Sequence, residues 1–96
     1  MTHYVFLKYE EGYFNDETFE QLAGLFKAAV DAMPGFTDFS AKKNILPRDV
    51  NMDLMISFKA SGPEAIMPYV KSPLHMAAAR VSGPHETARF SFDCED

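Results

Sequence analysis

The chain has no tryptophan, a single cysteine and little positive charge. Each shortage excludes something. Cys94 alone can form neither an internal disulfide nor a multi-cysteine metal site, and a lone thiol suits a reducing cytoplasm. The 9 Lys and Arg stand against 14 Asp and Glu, a formal net charge of −5. Nucleic acids and anionic membranes need a basic patch, so neither is an expected partner. No apolar run approaches the ~20 residues that span a bilayer. The opening MTHYVFLKYEEG lacks the basic and apolar regions of a signal peptide, so a cytoplasmic location is expected. There is no Gly-rich phosphate loop, nucleophile elbow or dinucleotide fingerprint. There is also no HxH or HxxxH pair and no EF-hand pattern, so no cofactor or metal is expected.

What is present is apolar and aromatic. Hydrophobic residues make up 47% of the 96, and nine are phenylalanine. That composition fits one folded domain over residues 1–96. A chain this short buries only about 60–70% of its unfolded surface, which favours help from oligomerisation.

The periodicities predict the elements. THYVFLKY (Thr2–Tyr9) reads as a strand with His3, Val5, Leu7 and Tyr9 on one face and Tyr4, Phe6 and Lys8 on the other. A helix follows, with Asn15 or Asp16 as N-cap, a stripe of Phe19, Leu22, Phe26 and Val30, and Pro34-Gly35 at its end. FTDFSAKKN is a weaker strand, and MDLMISFKA a clear one with Leu54, Ile56 and Phe58 on one face. Ser61 and Glu64 have the spacing of a capping box that opens a second helix. Pro68 should weaken that helix, and Ser72-Pro73 should restart it as N-cap and N1. His85, after Gly83-Pro84, reads as a solvated loop residue. ETARFSFDC closes the chain as a strand with Ala88, Phe90, Phe92 and Cys94 on one face.

The order β-α-β-β-α-β is that of the α+β ferredoxin-like fold, a four-stranded antiparallel sheet with helices on one face. The face opposite the helices then carries Tyr4, Phe6 and Met55, an apolar patch that a second copy would cover. A homodimer through the sheet faces is the expected partner arrangement.

Four short segments occur in an informative order: HYVFLK (His3–Lys8), MPGF (Met33–Phe36), DLMISF (Asp53–Phe58) and YVKSPLH (Tyr69–His75). Together they resemble the stress-responsive dimeric α/β-barrel (Dabb) family over nearly the whole chain. The resemblance implies a ferredoxin-like protomer that pairs into a barrel with its helices outside. Many members have no defined biochemical role. The plant polyketide cyclases among them use a tyrosine and a histidine in a Tyr-x5-His arrangement, which Tyr69 and His75 reproduce. His3 matches a histidine that borders the same cavity. Two positions depart from those cyclases: Phe26 stands where they place a second cavity tyrosine, and Ser72 replaces the histidine that commonly precedes the proline. The missing tryptophan separates the chain from haem-degrading relatives, whose sites use one.

The residues supply their own argument for Tyr69 and His75 as catalytic groups. Histidine can act as base and then acid near neutral pH, and a helix start favours its neutral form. Tyr69 could donate a hydrogen bond to a carbonyl as charge develops there. In a straight helix six residues turn through ~600°, leaving the two side chains ~120° apart. A break near Lys71–Pro73 would remove that obstacle. A pocket between helices and sheet would be lined by His3, Val5 and Leu7 of the first strand, Leu22 and Phe26 of the first helix, and Leu54 of the third strand. The plainer reading is a packed tyrosine and an edge histidine.

Three functions fit these residues. The chain binds a small apolar or aromatic molecule as part of a stress response; it is a cofactor-independent enzyme, cyclase-like or quinol monooxygenase-like; or it is an interaction protein with a filled core.

Overall fold

The computed structural model describes all 96 residues. Its elements are β1 (Thr2–Tyr9), α1 (Asp16–Asp31), β2 (Thr37–Lys43), β3 (Leu54–Lys59), α2 (Ile66–Val70), α3 (Pro73–Ser82) and β4 (Glu86–Cys94). The four strands form one antiparallel sheet in the order β2-β3-β1-β4. This is the ferredoxin-like arrangement that the element order predicts. No helix is long and apolar enough to cross a membrane.

α1 begins where its polar residues can satisfy its free N–H groups. Asn15 is the N-cap: its side chain accepts from the Thr18 backbone N–H at 2.9 Å, and Thr18 Oγ1 accepts from the Asn15 N–H at 2.8 Å. The helix stops at Asp31, ahead of Pro34, and Gly35 takes the positive φ of +80° that turns the chain into β2. The expected cap at Ser61 is displaced. Pro63 opens a single 3₁₀ turn (Pro63–Ala65), which puts Gly62 at the cap position, and glycine has no side chain with which to cap.

Strand pairing lays the inward side chains out in rows. On the helix side, His3 lies between Phe58 and Asp93, Val5 between Ile56 and Ser91, and Leu7 between Leu54 and Arg89. The β1 and β3 members of these rows pack under α1 and α3. Leu7, Leu22 and Leu54 join Phe26, Ile56 and Ala78 in one buried cluster, and Phe58, Val30 and Tyr69 anchor a second. Complete burial of such side chains stabilises by about 1.5–3 kcal/mol each. The helices cover β1 and β3 more fully than the edge strand β4, and the β4 residues of the rows are polar.

The other side of the sheet has no helix. There Tyr4 lies between Ser57 and Phe92, and Phe6 between Met55 and Phe90. The alternation expected in β4 is present, and its apolar set points away from the helices. Phe90 and Phe92 are 61% and 60% exposed.

Candidate functional site

A cavity of about 230 Å³ opens between α2, α3 and the under-covered β4. Tyr69 and His75 both line it. The local sequence explains how they meet. α2 ends at Val70, and Ser72 adopts an extended backbone (φ −68°, ψ 150°) as N-cap of α3, with Pro73 at N1. Ser72 Oγ accepts from the His75 backbone N–H at 3.4 Å. In a continuous helix the Val70 carbonyl would accept from the N–H of Leu74. The break frees that carbonyl, and the His75 ring takes it instead, with Nδ1 donating to Val70 O at 2.9 Å. Nδ1 therefore carries the hydrogen, and Nε2 is left with its lone pair and no protein partner.

The two rings lie edge to face with centroids 4.7 Å apart. His75 also meets Phe26 at 6.1 Å, while Tyr69 packs against Phe58 at 4.9 Å and Phe36 at 5.6 Å. Tyr69 is only 2% exposed, and its hydroxyl makes no hydrogen bond within the protein yet is not sealed off. Burial pushes the phenol well above its ordinary range, against the opposing charge of Arg89, so the group is a donor and not an anion. Burial is also the leading reason that the His75 pKa falls below 6.5; the Val70 carbonyl opposes the fall and the Arg89 charge adds to it. A neutral imidazole with a free Nε2 thus sits beside a protonated phenol.

His3 lines the same cavity, with Nδ1 donating to Asp93 Oδ1 at 2.5 Å and its ring 5.1 Å from Phe58. Val5 and Phe26 form part of the apolar wall. Leu7, Leu22 and Leu54 do not reach this cavity. Their side chains are consumed by the packed cluster beneath, where they are fully buried. The residues that sequence reasoning missed include Ile56, Ile66 and Val70 on the walls and Arg89, Ser91 and Asp93 along β4. One signal was available for the β4 set: polar residues alternate there with phenylalanines, and the partly apolar opposite face of β1 (Tyr4, Phe6) offered the phenylalanines a place away from the helices, which turns the polar set inward.

Behind Arg89 runs a polar chain. Tyr9 hydroxyl and Ser82 Oγ are 2.6 Å apart, Ser82 Oγ donates to Glu86 Oε2 at 2.6 Å, and Arg89 donates Nε–H and Nη2–H to the two Glu86 oxygens, each at 2.9 Å. Burial pushes Tyr9 up to about 12. Burial would also raise Glu86, but hydrogen bonds from Arg89 and Ser82 outweigh it and hold the carboxylate below its ordinary range. His85 is not the free loop residue expected. It stacks on Tyr13 with centroids 3.8 Å apart and donates to Glu10, well outside the cavity. No three His, Cys, Asp or Glu side chains are grouped so as to hold a metal ion.

No family model matches the chain, and no curated protein matches it in sequence. Solved structures do match. A Dabb family protein with a ferredoxin-like fold from Mesorhizobium loti superposes with a TM-score of 0.75 at 20% identity, over 99% of this chain and 94% of the other. A dimeric ferredoxin-like protein of unknown function from Thermobifida fusca gives 0.78 at 16% identity, over 95% and 85%. The hydroxynitrile lyase of Passiflora edulis gives 0.75 at 12% identity, over 99% and 93%. At these identities the likeness defines the class by its fold: a ferredoxin-like chain of the kind found in Dabb proteins. The fold implied by the four sequence segments is the one observed.

Proposed function

We propose that the protein is a homodimer, paired through the open faces of its two sheets, that takes up a small aromatic carbonyl compound and moves a proton on it. One observation carries the catalytic part. His75 and Tyr69 line one mainly apolar cavity, and His75 Nε2 and the Tyr69 hydroxyl have no protein partner and are not sealed from solvent. His75 Nε2 takes a proton from the carbon next to the carbonyl. The C–H electron pair becomes a C=C bond, and the carbonyl oxygen becomes an enolate oxygen that accepts a hydrogen bond from Tyr69. Return of the proton from His75 completes the cycle. The apolar side chains around the two groups lower the local dielectric and so strengthen both interactions.

The dimer rests on the exposed aromatics. Tyr4, Phe6, Met55, Phe90 and Phe92 share one uncovered sheet face, and a two-fold axis covers both copies at once. A recess of about 370 Å³ on that face, lined in part by Phe6, Met55 and Val50, is open and shallow and belongs to the same surface. The Thermobifida protein is described as dimeric and the Passiflora protein is a lyase, so the fold accommodates both features.

The test follows the α-hydrogens of 1-tetralone in deuterium oxide by NMR. The wild-type protein should accelerate their exchange above buffer. His75→Ala should lose about 10²–10⁴ of that acceleration and Tyr69→Phe about 10²–10³, with Tyr69→Phe melting close to wild type and His75→Ala, which loses a buried ring and its bond to Val70, melting lower but still folded at the assay temperature. Exchange at the buffer rate, or undiminished exchange in His75→Ala, would refute proton transfer at this site.

A further inference from the structure

We infer that the molecule bound in this cavity is an anion, and that Arg89 holds its carboxylate-type group at one end while Asp93 sets the polarity of the other. The inference rests on the cavity reading above and adds the chemical class and orientation of the ligand.

Arg89 has five N–H donors. Two of them go to Glu86, and the remaining three have no partner within the protein. Arg89 lines the cavity and its side chain is 44% exposed, whereas Glu86 does not line the cavity and its side chain is only 10% exposed. The carboxylate therefore sits behind the guanidinium, fixing its plane, and the free donor edge is available to the cavity. Glu86 is itself held by Ser82, which is held by Tyr9. A guanidinium anchored from behind in this way loses little further freedom when it binds a planar oxyanion, and the fork geometry suits a carboxylate.

Asp93 gives the opposite end of the cavity a different character. Arg89 and Asp93 are four residues apart on the same face of β4, about 13 Å at the rise of a strand. Arg89 stands in the row of Leu7, and Asp93 in the row of His3. One Asp93 oxygen is occupied by His3 Nδ1–H. An anionic group is repelled there and attracted at the Arg89 end, so an elongated ligand has one favoured direction. Between the two ends lie Val5, Ile56 and Ser91, which suit a flat apolar body.

The arrangement predicts selection between two probes of the same shape, 1-naphthoate and its neutral amide 1-naphthamide, measured by titration calorimetry on the full chain. Wild type should prefer the carboxylate by about tenfold or more. Arg89→Gln leaves the largely covered Glu86 carboxylate with Ser82 but without its cation and can compromise folding, so the deciding variant is the double substitution Arg89→Gln with Glu86→Gln. In it the preference should vanish while binding of 1-naphthamide persists. Arg89→Lys keeps the charge and loses the fork, and should retain part of the preference. Equal binding of both probes to wild type, or an unchanged preference in the double variant, overturns the anion assignment and leaves the cavity reading standing. Failure of both probes to bind wild type overturns both.

Discussion

Along β4, Arg89, Ser91 and Asp93 turn toward the helices, while Phe90 and Phe92 turn away from them. A strand packed on one side only usually does the reverse, with apolar residues against the helices and polar residues in water. Here the polar set meets a cavity and the aromatic set meets nothing within the protomer. The difference follows from cover: the inward set of β4 borders a cavity rather than packed side chains, and its outward aromatics have no cover within the chain, which is what the proposed ligand and the proposed second copy would respectively use. β3 shows the contrasting case. Its inward residues Leu54, Ile56 and Phe58 are fully buried beneath the helices, and its outward residues are Met55, Ser57 and Lys59.

The largest expected effect comes from breaking the outer face. In the proposed dimer Phe6→Asp would bury an unpaired charge between the paired sheet faces and cost about 3–5 kcal/mol. Light scattering across a dilution series should report a dimer for wild type at micromolar concentration and a monomer or unfolded chain for the variant. A wild-type monomer at that concentration would remove the reason given for the exposed phenylalanines.

A smaller effect sharpens the inner face. The folded-state pKa of His75 is depressed below 6.5. As pH falls through 6.5, the unfolded chain takes up a proton that folded His75 resists, so stability is lost from there down to the folded pKa. The melting temperature of wild type should accordingly drop more between about pH 7.5 and about pH 5 than that of His75→Gln, a comparison that cancels the other titrating groups. Equal drops would mean that His75 is not held neutral by its surroundings. The smallest effect belongs to the end of the same strand. Cys94 is half-buried beside Thr2, and Cys94→Ser should change stability by no more than about 0.5 kcal/mol and leave dimer mass and ligand binding intact.

Much of this was legible before the structure. The stripe in α1, the alternation in β1 and β3 and the breakers at Ser72-Pro73 each report a local period or a local backbone restriction, so the fold and the helix break could be read directly. Ser61 was misread because a proline two residues on moved the turn by one position. Leu7, Leu22 and Leu54 were misplaced because periodicity says which face a residue occupies, not whether a neighbour already fills the space beside it. Arg89 was invisible for a related reason: an arginine alternating with phenylalanines looks like an ordinary surface residue until strand order puts it next to Leu7, on the side of the sheet that borders the cavity. The tautomer of His75 depended on a carbonyl freed by the break, which no residue pattern encodes.

On the proposed reading, one side of the sheet holds a ligand through Tyr69 and His75 while the other holds a second chain. Native mass spectrometry of freshly purified protein measures both at once, with wild type compared against the Tyr69→Phe, His75→Ala double variant. The account predicts a two-chain species for both proteins, carrying a co-purified small molecule in wild type and none in the variant. A single-chain species, or the same adduct on both proteins, would contradict it.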